Sequence, residues 1–229
     1  YIIDHPKDDL HLNVTSNMCP PDKKLKTKYF NMLQTICMQQ KVEHVMQFVS
    51  VDAWAKQAEY IRFGLDFNRM WDNVDEFLER IPQRNSVTFI ITYNNLSVVS
   101  MRKLLEGILE LRKRHSKTYQ RVWFDIPLLR QPEWQQITML PEAYQQIHKD
   151  NIEYMRQNSG EHNGLHIFKD FEIQKMLRNL AYWQKNTDTS TQQKKNFYAF
   201  FNEHDRRRNT NFLNIFPEME EFWMECKNA

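Results

Sequence analysis

The sequence predicts an α/β fold built on a parallel sheet, and three observations carry that prediction. Apolar runs suited to strands lie near Leu10–Val14, Val45–Val51, Val87–Tyr93 and Val122–Ile126. The stretch between each run and the next has a helical period and is far longer than a hairpin. Parallel strands need such a crossover of roughly a dozen residues or more. Hydroxyl, amide and carboxylate side chains collect at the C-terminal end of every run, where parallel folds place ligand-binding groups.

The first run ends at Thr15, Ser16 and Asn17, and the following helix carries Tyr29, Met32, Leu33, Ile36 and Cys37 on one face. The second ends at Ser50 and Asp52. Its helix aligns Met70, Trp71, Val74, Phe77, Leu78 and Ile81. The third ends at Thr92 and Asn94, followed by a stripe of Met101, Leu104, Leu105, Ile108 and Leu109, and the fourth ends at Asp125. Four βα units joined by right-handed crossovers amount to half a barrel. After Pro127 the pattern changes: Pro132 and Pro141 punctuate a loop-rich stretch, and helical periods resume near Tyr144 and at Ile173, Met176, Leu177, Leu180 and Trp183. A boundary near 130 therefore divides a sheet-bearing part, 1–130, from a mainly helical part, 131–229. Within the latter, Asn186–Lys195 reads as a polar linker or loop and Phe197–Trp223 as a compact aromatic ending. The Leu10 run would form an open sheet edge, a pairing hazard that points to further sequence covering it.

Composition narrows the function classes. With 229 residues, 41% of them hydrophobic, the chain can bury a sizeable core. Its formal charge of +2 lacks the concentrated basic face of a general polyanion binder, so nucleic acid is not an expected partner. Four glycines are few for a phosphate-cradling loop. Three scattered cysteines and no long apolar span predict a cytoplasmic protein without a disulfide framework or membrane partner.

The stretch Phe48 to Leu65, with Ser50-Val51-Asp52 at a strand end and Arg62-Phe63-Gly64 a helical length later, resembles the fourth strand and following loop of radical S-adenosylmethionine (SAM) enzymes with twitch or SPASM tails. Val14-Thr15-Ser16-Asn17 resembles the family's third strand end, Ile90-Ile91-Thr92-Tyr93-Asn94 its fifth, and Trp123-Phe124-Asp125-Ile126-Pro127 its sixth. The ending His204-Asp205-Arg206-Arg207-Arg208, with Asn211-Phe212-Leu213 and Phe216-Pro217-Glu218, is similar to that of twitch-domain members. The family's Cys-x3-Cys-x2-Cys loop and Gly-Gly-Glu-Pro motif are absent from these residues. The chain starts at Tyr1, where a protein lacking its first two βα units would resume, so it is expected to be a fragment.

The resemblance implies a partial barrel of the radical SAM type with a twitch-like helical extension. Its cofactors would be SAM and a 4Fe-4S cluster, used to release a 5'-deoxyadenosyl radical, and its substrate an unidentified small molecule or peptide. By the same resemblance Ser16, Asn17, Ser50, Asp52, Arg62 and Asn94 are the cofactor-binding candidates. Ser16 and Ser50 would bond the methionine or ribose part of SAM, Arg62 would contact its carboxylate or ribose, and Asp52 would orient Arg62 or cap a helix. No catalytic residue and no cluster ligand is expected in this chain. Cys226 is a weak candidate for an auxiliary cluster, Cys37 reads as core and Cys19 as a loop thiol near the pocket.

Plainer readings stand beside these. Each rim residue could cap a turn, and Arg62 could pair with Glu59 or Asp66. His162 and His166 have a metal-ligand spacing without a third ligand. Arg112 to Arg114 and His115 could complement a helix dipole. Arg206 to Arg208 could latch onto Glu218, Glu220 and Glu221. The alternative function is a non-catalytic α/β binding or scaffold module that has lost the cluster.

Overall fold

Four parallel strands pair in the order in which they occur: β1 (Lys7–Ser16), β2 (Val42–Ser50), β3 (Asn85–Ile90) and β4 (Val122–Asp125). The structure is a computed structural model that describes residues 1–160, 164–187 and 190–229. Between the strands lie α1 (Lys23–Met38), then α2 (Ala55–Ile61) with α3 (Phe67–Arg80), then α4 (Met101–His115). The expected α/β class and the parallel sheet are therefore present. Past β4, short 3-10 turns lead to α5 (Ala143–Gln157), α6 (Asp170–Lys185), α7 (Thr191–Arg208), α8 (Phe212–Ile215) and α9 (Glu220–Lys227), so most of the ordered structure is helical.

Local chemistry explains where the helices start. Asp22 accepts a hydrogen bond from Leu25 N–H at 2.7 Å, and Asp66 accepts one from Arg69 N–H at 3.0 Å, capping α1 and α3. Ser190 does the same for α7, which begins at Thr191. That corrects the second half of the linker or loop expected across Asn186–Lys195, of which 188 and 189 lie outside the described residues: Gln and Lys residues that look solvent-bound in sequence are good helix formers once capped. Gly64, at φ +85°, makes the turn between α2 and α3, a conformation that favours glycine.

The strand register sorts side chains onto two faces. Val45, Val49, Val87, Phe89, Val122 and Phe124 point to one face and are buried. On that side Trp71 of α3 stacks on Phe89 at 5.3 Å, Tyr29 of α1 reaches Gln47, and Arg112 of α4 bonds the Val122 carbonyl. The crossover helices thus share one face of the sheet. The opposite face presents Thr15, Phe48, Thr88 and Trp123 in one paired row and Ser50, Ile90 and Asp125 in the row above, with most of these side chains only half-buried or exposed.

The helical part packs on the sheet-bearing part through polar as well as apolar contacts. Arg112 and Glu172, both fully buried, meet at 2.5 Å, and Arg112 also bonds the Ile167 carbonyl at 2.7 Å. Arg112 is therefore a buried cross-link between α4 and α6 and no dipole-neutralising surface cation, whereas Arg114 and His115 pair with Asp75. His148 of α5 lies between Tyr93 Oη, at 2.7 Å from Nδ1, and the Met176 carbonyl, at 2.9 Å from Nε2. In the tautomer that satisfies both, Nε2 donates and Nδ1 accepts. The aromatic ending forms a cluster in which Phe212 stacks on Trp223 at 4.4 Å and Phe197 packs edge-on to Phe222.

The expected latch of Arg206–Arg208 onto the C-terminal glutamates does not form. Arg206 and Arg207 both pair with Glu203, one helical turn back, and Arg208 lies over the Phe63 ring at 4.4 Å. On a helix the i−3 and i−4 positions are closer to a basic side chain than the next helix is. No helix among the described residues is long and apolar enough to cross a membrane.

Candidate functional site

The C-terminal rim of the sheet gathers part of the expected set. Asp52, 6% exposed, accepts a hydrogen bond at Oδ1 from Thr92 N–H at 2.9 Å, while its Oδ2 lies 2.8 Å from Arg62 Nε. The Arg62 Nε–H points off the carboxylate oxygen, so this contact is a close charge pair and no aligned hydrogen bond. Asp52 therefore ties the ends of β2 and β3 to the segment after α2, as the orienting role requires. Neither Glu59 nor Asp66 takes Arg62: Glu59 pairs with Lys56 and accepts from Phe67 N–H, and Asp66 caps α3.

Two side chains near the end of β2 keep polar atoms free of protein partners among the described residues. The Nη groups of Arg62 make no hydrogen bond among the described residues, and its side chain is one-third exposed. Ser50, the last residue of β2, is half-buried on the face opposite the crossover helices and its hydroxyl has no hydrogen-bond partner among the described residues. Ala55, three residues beyond Asp52, sits at φ +50°, which costs a residue with a Cβ about 1–2 kcal/mol. Strain of this kind gathers where backbone geometry is over-determined by a site.

The other candidates are placed differently. Ser16 pairs in register with Val49, a helix-side position, so the two serines lie on opposite faces of the sheet. Its Oγ accepts from Met18 N–H at 3.2 Å and from Gln47 Nε2 at 3.1 Å. The Asn17 carboxamide accepts from Cys19 N–H at 3.0 Å. Asn94 is buried and its side chain is committed to its own turn, accepting from Leu96 and Ser97 N–H and donating to the Thr92 carbonyl. For these three the turn-making role accounts for the side chain. Thr15, by contrast, lies beside Phe48 on the face opposite the crossover helices. Sequence reasoning missed Lys175 of α6, whose ammonium reaches Asp125 at 2.7 Å at the end of β4. No local pattern links a helix-borne lysine to a strand fifty residues earlier.

The cysteines are dispersed. Burial pushes the Cys37 thiol up to about 11 and the Cys226 thiol up to about 12, with Glu225 adding to the latter. Burial thus keeps both as neutral thiols in this structure. Cys19 Sγ accepts from Arg69 Nε at 3.1 Å. Among the described residues no group of three or more His, Cys, Asp or Glu side chains could hold a metal ion. His162 lies outside the described residues, and His166 bonds the Ser116 carbonyl at 2.8 Å.

Comparison with protein-family models, with curated proteins and with solved structures finds no match to this chain.

Proposed function

We propose that the chain is the SAM-holding part of a radical SAM enzyme of the twitch-domain kind, a section of its partial (βα) barrel followed by a helical extension. The observation that carries this reading is the Arg62 guanidinium held at the C-terminal rim of a parallel sheet by Asp52, two residues past a Ser50 hydroxyl that has no hydrogen-bond partner among the described residues. Arg62 can bind a carboxylate with its free Nη groups, and Ser50 can bond an amine or a ribose hydroxyl. The parallel order of β1 to β4 with crossover helices on one face is the layout that a section of barrel requires.

Bound SAM would supply the 5'-deoxyadenosyl group once an electron reaches its sulfonium. The residues of this chain would orient the amino-acid and ribose ends and exclude water at the rim of the sheet. The chain's cysteines do not fit a 4Fe-4S cluster: all three are buried, and among the described residues they do not come together as a ligand group. The cluster ligands would come from sequence outside these residues.

Calorimetric titration with SAM tests the reading. Weak binding is expected, lost at least tenfold in Arg62→Ala, with no 5'-deoxyadenosine formed after iron and sulfide reconstitution of this chain. Absence of SAM binding at millimolar concentration overturns it. The dispersed cysteines equally favour a non-catalytic α/β binding module, which would show no preference for SAM over simple carboxylates at the same corner.

A further inference from the structure

Arg62 stands immediately past a helix that cannot hold itself. α2 is seven residues long and has no side-chain cap at its start, and an isolated helix shorter than about 12 residues is marginal in water. Its support comes from the far end of the chain. Tyr60, 4% exposed, donates from its Oη to Asp205 Oδ1 at 2.9 Å, and its ring packs against His204 at 4.3 Å and against Phe201, Phe212 and Phe216. Gln57 Nε2 donates to the Ile215 carbonyl at 3.1 Å and to Glu218 Oε1 at 2.7 Å. Gln57 and Tyr60, three apart, share one face of α2, and that face is the one the C-terminal helices hold. Phe63, on the other side of Arg62 in the chain, lies against the Arg208 guanidinium.

Asp205 is the hub of this contact. Its Oδ1 also accepts from Thr210 Oγ1 at 2.7 Å, and its Oδ2 accepts from Phe212 N–H at 2.6 Å, across a turn that Asn209 makes at φ +51°. The carboxylate that shapes the turn between α7 and α8 is therefore the one that grips α2. Asp52 touches the Arg62 guanidinium only from the Nε side, so the place of the free Nη groups follows the backbone from Tyr60 to Phe63.

We infer, on the proposed role of Arg62 as a ligand-binding group, that Tyr60 and Asp205 are its positioning residues: the seating of α2 on the α7–α8 turn and the occupation of Arg62 are one coupled equilibrium. A ligand that bonds the Nη groups of a seated Arg62 favours the seated arrangement by its difference in affinity between the two states. Loosening α2 weakens the ligand by the same factor. The His204–Arg208 run thereby acts on the rim of the sheet through α2, without touching the ligand.

Tyr60→Phe tests this with the removal of one hydroxyl, since the ring stays among its aromatic neighbours and Asp205 keeps its bonds to Thr210 and Phe212. Hydrogen exchange read by NMR needs no ligand. The Arg62 N–H, bonded to the Ala58 carbonyl at 2.9 Å, should exchange about fivefold faster or more in Tyr60→Phe, with the amides of α3 and β2 unchanged. Titration with SAM reads the coupling: Kd should rise about fivefold in Tyr60→Phe and in Asp205→Asn, and saturating SAM should slow exchange at both Arg62 and Phe212 in the wild type. Ile152→Val, a core truncation on α5, should lower the urea midpoint and leave both readings unchanged, which separates positioning from a general loss of stability. Unchanged exchange at Arg62 in Tyr60→Phe overturns the inference whether or not SAM binds. Wild-type SAM affinity in both variants overturns it too, as does an equal change of both readings in Ile152→Val. If the wild type binds no SAM, the reading of Arg62 as a SAM ligand fails, and the exchange comparison alone decides the positioning.

Discussion

Asp52 holds Arg62 from one carboxylate oxygen, 2.8 Å from Nε, and the backbone of Thr92 from the other, at 2.9 Å. One buried side chain thus couples two strand ends to a guanidinium whose Nη groups make no hydrogen bond among the described residues. Replacing it with Asn keeps an acceptor for Thr92 N–H but removes the charge. Asp52→Asn should cost about 1–2 kcal/mol of stability, less than a fully buried pair because Arg62 is one-third exposed. On the proposed reading it also reduces SAM affinity about as much as Arg62→Ala. Urea denaturation and calorimetry on the same preparation check both.

The buried pair Arg112–Glu172 makes a different prediction. Glu172→Gln leaves a guanidinium in a site with 0% exposure and should destabilise by about 3–5 kcal/mol. Arg112→Met/Glu172→Leu removes both charges and should lie closer to wild type than either single variant, which a double-mutant cycle by urea denaturation reads directly.

Gly107 on α4 makes room for two indoles. A Cβ there would lie 2.5 Å from the Trp54 ring and 2.8 Å from the Trp71 ring. Helix propensity favours Ala over Gly by about 1 kcal/mol, yet Gly107→Ala should be destabilising by about 1–3 kcal/mol, because overpacking rigid rings outweighs the propensity gain. A rise in thermal midpoint for this variant would contradict the packing.

His148 sets an acid limit to stability. Burial lowers its pKa from 6.5 to about 4. The unfolded chain therefore binds the proton more tightly, and stability is full above about pH 6.5 and falls as pH drops through the folded value. Between pH 7 and pH 4 this one residue should remove about 3 kcal/mol. His44 and His204, also lowered by burial, act in the same direction. The urea midpoint should fall over that range, and His148→Gln should flatten the slope.

The elements were legible in sequence wherever one period dominated. The stripe Met70, Val74, Phe77 and Leu78 faces the core as its spacing demands, and the four apolar runs are strands, although β1 extends back to Lys7 and β3 stops at Ile90. The α7 start was hidden because its first residues are uniformly polar and only the Ser190 cap marks them. At the rim, Ser16 and Ser50 are both hydroxyls at strand ends and look alike in sequence. Their faces differ because register, set by pairing, places Ser16 beside Val49 and Ser50 beside Ile90.

By itself the sequence determined the α/β class, the order of the βα units and the presence of polar residues at each strand end, since local periodicity and turn chemistry act over a few residues. Tertiary structure alone decided which polar groups are consumed and which stay free. Asn94 spends its amide on its own turn, Arg206 and Arg207 close on Glu203, Arg112 disappears into a pair with Glu172, and Arg62 keeps its Nη groups open. Those outcomes depend on distances between residues far apart in the chain, and on the desolvation that makes a buried polar group take whatever partner lies within reach.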